Sequence, residues 1–213
     1  MRTTTPAGPT PVSVPLALLS DLRADLGIAG TEEDDRLTRL LLSASETVAA
    51  YIGRPILSQA WQDVFFLSAN EWRSSLTLSH WPVSEIKSLS WRGEAFSLDA
   101  IAALPVNGSA GIICPPDGQM MWRPGRYQIV YQAGWAAPGV SSGEGVALPE
   151  TIQRAVRIMA AADYHATGRD PLLKSESETG VGASSWQTPT QGTGGMPLAA
   201  AELLDSYQSG SLA

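Results

Sequence analysis

Two histidines, His80 and His165, are the residues in this chain of 213 whose type best suits acid–base or metal chemistry. A histidine base needs a nucleophile or a second ligand placed beside it, and neither sequence neighbourhood supplies one. His80 falls between Ser79 and Trp81 at the end of a predicted strand, and His165 falls on the outer face of a predicted helix, so both read as structural. The H-E-x-x-H, G-x-S-x-G and P-loop patterns are absent. Gly180-Val181-Gly182 lacks the third glycine and the preceding strand of a dinucleotide site. Asp34-Asp35 reads as charge at a helix start rather than as a glycosidase pair. Cys114 is the single cysteine, which excludes an intrachain disulfide and a cysteine zinc site. The chain is therefore expected to be no enzyme and to carry neither metal nor cofactor.

The elements that would hold any site are legible around one helix, Thr31 to Ile52, with Gly53 and Arg54-Pro55 as its stop. Thr31 is its expected cap, and Glu32, Glu33, Asp34 and Asp35 place negative charge at the positive end of the helix dipole. Leu37, Leu40, Leu41, Ala44, Val48, Tyr51 and Ile52 share one face. A shorter helix is predicted over 15–26, with Leu18, Leu19, Leu22 and Leu26 on its apolar side and Gly27 as its stop. A second long helix, 149–167, carries Ile152, Ala155, Val156, Met159, Ala162 and Ala166 on its apolar face, with Arg154, Arg157 and His165 opposite. Asp163 falls within that apolar face by spacing and would need a cation, Arg54 or Arg169. Ala49, Ala50, Ala160 and Ala161 read as small outer residues that allow close packing between copies.

Between the two long helices the period changes to two. Gln59–Leu67, Leu76–Ser79, Val83–Trp91, Gly111–Cys114 and Tyr127–Ala133 read as strands bounded by turn residues. The fold class is thus α+β, a small bundle of three to four helices with an antiparallel β insertion over 56–135 between the long helices. Residues 1–13 are Thr, Pro, Ala and Gly-rich and are expected as a flexible arm, with 14–167 as the body. Residues 168–196 read as a Gly/Ser linker, and 197–213 as a short helix and tail that folds on a partner.

A net charge of −7 argues against a dedicated nucleic-acid binder, since phosphate neutralisation needs clustered Lys and Arg. The apolar run Val14–Leu19 contains Pro15 and is too short to span a bilayer, so neither a signal nor an anchor is expected. Of the seven tryptophans, Trp61, Trp91 and Trp122 are expected in the core, while Trp72 and Trp186 are better placed to bury against a partner.

The ordered set Tyr51-Ile52-Gly53-Arg54-Pro55, Trp81-Pro82-Val83-Ser84-Glu85-Ile86-Lys87-Ser88-Leu89, Tyr131-Gln132-Ala133-Gly134-Trp135 and Leu148-Pro149-Glu150-Thr151-Ile152 resembles the head-to-tail connector (adaptor, or head-completion) proteins of tailed bacteriophages and gene transfer agents. The similarity covers most of residues 14 to 207. It implies a structural protein of the particle neck, made in the bacterial cytoplasm. Such a protein assembles with neighbouring copies as a dodecameric ring below the portal protein and meets a tail-side stopper or tail terminator protein. DNA would pass through without specific binding, and no membrane would be involved. On this reading Trp186, Leu198, Leu203, Leu204 and Tyr207 dock on the portal, and Trp72 and Arg73 form a tail-side or inter-subunit contact. The reading from a different class is a Trp-rich β module that binds a carbohydrate or cell-surface ligand, and it has no need of a ring.

Overall fold

The computed structural model describes residues 1–9, 13–116, 119–140, 145–167, 175–178, 182–185 and 196–208. In chain order its elements are β1 (Arg2–Pro6), α1 (Leu19–Leu26), α2 (Asp34–Ile52), β2 (Gln59–Leu67), β3 (Leu76–Thr77), β4 (Val83–Trp91), β5 (Glu94–Ala95), α3 (Leu98–Ala102), β6 (Val106–Asn107) and β7 (Ile112–Ile113). There follow β8 (Gly125–Ala133), β9 (Trp135–Ala136), β10 (Val146–Ala147), α4 (Glu150–Ala166), β11 (Ser175–Glu178), β12 (Gly182–Ser185) and α5 (Leu198–Leu204). The chain divides into a β unit, Met1–Val12 with Ile56–Ala147, and a helical unit, Ser13–Pro55 with Leu148–Ala213. The α+β class read from the sequence is therefore observed.

In the helical unit α2 packs on α1 and α4, and α4 packs on α5. Leu37, Leu41, Ala44, Val48 and Ile52 of α2 are buried with Ile152, Ala155, Val156 and Ala160 of α4. The stop of α2 is the expected one: Gly53 adopts φ 73°, and its N–H donates to the Ala49 carbonyl at 3.0 Å. Its start is not. The helix begins at Asp34, and Thr31 contributes a backbone turn, its carbonyl accepting from Asp34 N–H at 3.2 Å, in place of a side-chain cap. The Glu33 carboxylate is held by Arg36 at 2.9 Å and by the Tyr164 hydroxyl at 3.2 Å, so the acidic run fastens α2 to α4 as well as complementing the dipole. Helix α1 also starts later than expected. Leu16 and Ala17 are buried ahead of it, and Leu16 N–H donates to Ser45 Oγ at 2.9 Å, which ties this stretch to α2 and keeps it from helical pairing.

Two readings of the helix faces are corrected. Arg157, expected on the outer face of α4, has only 12% of its side chain exposed and reaches Asp25 at 2.8 Å, Glu150 at 2.8 Å and Asp21 at 3.8 Å. Burial alone would lower its pKa, and the hydrogen bonds to Glu150 and Asp25 raise it instead, so the cation is permanent and clamps α1 to α4. Ala160, expected outside, is fully buried, so it contributes to the core and offers no surface to a neighbouring copy.

The β unit is built on a five-stranded antiparallel sheet in the order β1-β2-β8-β4-β5. Period-two alternation sends Trp61, Asp63, Phe65 and Leu67 of β2, with Tyr127, Ile129, Tyr131 and Ala133 of β8, to one buried face. That core also takes in Leu76, Leu78, Leu89, Ile113 and Trp122. A three-stranded sheet, β3-β7-β6, adds a second small sheet, and β9 pairs with β10 in parallel, which the expectation of a purely antiparallel insertion did not include.

The flexible arm expected over 1–13 is corrected by β1, which pairs along β2 from Arg2↔Phe65 to Pro6↔Trp61. Arg2 Nη1 donates to the Thr77 carbonyl at 2.7 Å, and Thr4 Oγ1 hydrogen-bonds Ser79 Oγ. The composition of the arm is poor in apolar surface, yet three threonines suit a strand, and the open edge of β2 supplies the backbone partners that offset the ordering entropy. The 168–196 linker likewise contains a two-stranded hairpin, Ser175↔Ser185 to Glu178↔Gly182.

Gly134, in the segment Tyr131–Trp135, explains why that stretch is written as it is. Its φ is 115°, and a Cβ there would lie 2.6 Å from the Leu57 carbonyl oxygen. Its N–H donates to the Pro82 carbonyl at 2.9 Å, so the turn closes between two other segments of the unit. Gly134→Ala is expected to cost roughly 1–3 kcal/mol from the backbone conformation alone, with the clash added. A thermal unfolding midpoint equal to the parent's would contradict that geometry.

Candidate functional site

Each histidine packs against an aromatic ring. His80 stacks on Trp61 with ring centroids 3.7 Å apart, and its backbone N–H donates to the Tyr131 hydroxyl at 3.2 Å. His165 lies edge-on to Tyr164 at 5.5 Å. Among the described residues no three His, Cys, Asp or Glu side chains gather as a metal site would require.

One buried carboxylate escaped the sequence reading. Asp63 is fully buried on the core face of β2, where its Oδ2 accepts from Ser79 N–H at 2.8 Å. Burial, with the Asp63 charge beside it, pushes the Tyr131 hydroxyl well above the ordinary tyrosine range, so the phenol stays neutral. The pair fixes the Ser79-His80 corner to β2 and β8. A charged residue falling in phase with Trp61 and Phe65 was the available signal.

The residues expected to dock on a portal separate into two groups. Leu204 is fully buried together with Met196, Ala200 and Ala201, and α5 packs on α4. Leu204 is therefore a core residue of the helical unit and is corrected as a docking residue. The segment containing it is correspondingly part of the bundle and no separate docking helix. Small residues at Ala200 and Ala201 allow the close approach, and the Tyr51 hydroxyl donates to Asp205 Oδ1 at 2.9 Å just beyond α5. Leu198 remains 50% exposed, and Leu203 and Tyr207 are half-buried. Trp186 lies outside the described residues.

Trp72 and Arg73 sit together on the loop after β2. Trp72 is 55% exposed, and Arg73 Nε donates to Glu71 Oε1 at 2.7 Å, holding the Glu71 carboxyl below its ordinary pKa. Arg73 is paired through its backbone with Trp122, whose N–H donates to the Arg73 carbonyl at 2.7 Å. Trp61 and Trp122 are buried, and Trp91 packs half-buried against the same core, as expected. Three of the aromatic rings that a carbohydrate platform would use are thus spent inside the unit.

Asp163 is half-buried, and burial raises its pKa above the ordinary carboxylate value. Among the described residues no salt bridge joins it to Arg54, and Arg169 lies outside them. The folded chain keeps this proton to higher pH than the unfolded chain does, so stability falls as pH rises from the ordinary carboxylate pKa through the raised one. Asp163→Asn is expected to raise the unfolding midpoint at neutral pH and to leave it nearly unchanged below about pH 3. An equal shift at both pH values would show that the effect is not ionisation.

What these features define is a two-unit α+β protein whose exposed apolar side chains include Leu198 on α5 and Phe66, Trp72, Met120 and Met121 toward one end of the β sheet. Residues 17–72, which span α1, α2 and β2, match the family model of phage gp6-like head-tail connector proteins. No curated protein matches the chain. Among solved structures the fold matches a chain of the neck of an empty gene transfer agent particle, at 16% identity and a TM-score of 0.52, over 97% of this chain and 95% of that one. A chain in the virion of a native gene transfer agent particle matches with the same identity, TM-score and coverage. The resemblance read from the sequence is thereby met over residues 17–72, and the solved structures share the fold over nearly the whole chain.

Proposed function

We propose that the chain is a head-to-tail connector of a phage-like particle, a structural neck component that joins the portal of the head to the tail. The observation that carries this is the connector match over residues 17–72, within a fold shared over 97% of the chain with a gene transfer agent neck protein. Neighbouring copies form a ring that lines the DNA channel; the neck to which the fold is similar was computed with C6 symmetry, which supports a cyclic arrangement. Leu198, Leu203 and Tyr207, with Trp186, face the portal protein. Trp72 and Arg73 face a tail-side stopper or terminator or a neighbouring copy.

An acidic chain suits a conduit through which DNA slides. With 14 basic against 21 acidic side chains, random duplex is expected to bind more weakly than about micromolar at physiological salt. Tighter binding in a filter or mobility assay would reopen the nucleic-acid class. The portal contact is tested by mixing the full chain with the cognate portal and following co-elution. Leu198→Asp with Tyr207→Ala should abolish capture while the helical circular dichroism stays as in the parent, and Leu198→Asp alone should leave the melt unchanged. Capture that survives the double substitution would place the portal surface elsewhere.

A further inference from the structure

The sheet of the β unit has two very different ends. The chain enters and leaves at the Gln59↔Ala133 end, and the Leu67↔Gly125 end lies eight residue steps, roughly 27 Å, further along. At that far end exposed apolar side chains collect on neighbouring strands and loops: Phe66 at 58%, Trp72 at 55%, Met120 at 91% and Met121 at 46%. The two loops that carry Trp72 and the methionines leave the paired strand ends and are joined to each other at the Arg73–Trp122 bridge. Soluble proteins do not gather large apolar side chains on one tip without a use for them.

The same tip is basic. Of the β unit's six lysines and arginines (Arg2, Arg73, Lys87, Arg92, Arg123, Arg126), all but Lys87 lie toward this end, against Glu71 and Glu94, in a chain whose net charge is −7. Arg126 pairs across the ladder with Phe66, and Arg92 N–H donates to the Arg126 carbonyl at 2.8 Å. Arg123 N–H donates to the Tyr127 hydroxyl at 3.0 Å, so the arginines stand on fixed backbone. Glu71 engages Arg73, while Arg92, Arg123 and Arg126 enter none of the salt bridges among the described residues. Their wide separation in sequence hides the cluster.

We infer that this tip, with the exposed apolar side chains of Phe66, Trp72, Met120 and Met121 and the arginines Arg123 and Arg126, seats the tail-side neighbour in the neck through a protein surface of carboxylates around an apolar recess. The inference rests on the connector reading. Phe, Trp, Met and Arg are the residues enriched where proteins meet, and the arginines would form charge-assisted pairs at the rim. Duplex DNA would use the arginines and leave the methionines in water, which is why a protein is the better complement. A component that bridges two neighbours must offer two separate surfaces, and these residues are distinct from the α5 residues assigned above to the portal.

The test uses the full chain with its cognate portal and its cognate tail-side protein, each purified. Met120→Ser/Met121→Ser and Arg123→Glu/Arg126→Glu alter exposed side chains only, so both variants should melt as the parent does. Each should capture the portal normally and lose capture of the tail-side protein by at least about tenfold, as expected when interface anchors are removed. Unchanged tail-side capture overturns the inference. So does a variant that changes only the self-association mass, which would make the tip a contact between copies, or only retention of random duplex, which would make it a DNA contact. If the parent captures neither neighbour, the connector reading itself fails and this inference with it.

Discussion

Leu41→Ala is expected to destabilise the chain by roughly 2–5 kcal/mol, the range for truncating a leucine in a packed core. Leu41 is fully buried on α2, in the face that meets α4, and its carbonyl accepts the Ser45 hydroxyl at 2.6 Å, so the surrounding backbone is held and cannot collapse freely into the space. Ser45 in turn receives Leu16 N–H, which couples the cavity to the entry of α1. The fall should appear as a lower denaturant midpoint followed by circular dichroism at a helical wavelength. A midpoint within error of the parent would mean that α2 is not the centre of the bundle.

Leu204→Asp is expected to cost at least as much. It removes a fully buried leucine and puts a carboxylate in its place. Helix α5 has seven residues and no intrinsic means of standing alone, so it should release from α4 and expose the surface it covers there. The comparison with Leu198→Asp separates structure from docking. The Leu198 change, at a half-exposed site, should leave the melt intact and lower portal capture, whereas the Leu204 change should lower both. If Leu204→Asp melted as the parent does, α5 would be an arm after all.

The burial of Leu204 shows what sequence can and cannot convey here. Leu198, Leu203, Leu204 and Tyr207 form a short apolar stripe, and a stripe states that a partner exists without saying which. The partner is the chain's own α4, brought there across a Gly/Ser-rich stretch whose composition argued for separation. The N-terminal threonines follow the same rule. Their composition alone does not offset ordering entropy, and the open edge of β2 that receives them is a property of the assembled sheet. By contrast α2, α4, β2, β4 and β8 were legible, because each carries a strong period, and Gly53 and Pro55 mark the end of α2 through backbone conformation alone. Asp63 falls in phase with a strand core, whereas Arg157 lies opposite the apolar stripe of its helix, so its spacing carries no sign of burial. Their partners Ser79, Asp21 and Asp25 are set by tertiary contact. Of the tip, only Trp72 and Arg73 could be suspected, since Phe66, Met120, Arg123 and Arg126 meet them only through strand pairing.

The connector role is tested most directly by imaging the particle that carries this chain. A cryo-electron density map of native particles, with the chain labelled by an added small domain, should show a closed ring of copies between portal and tail, surrounding the DNA channel. Label density on the head surface or along the tail, or particles that join head to tail normally when the chain is deleted, would contradict it.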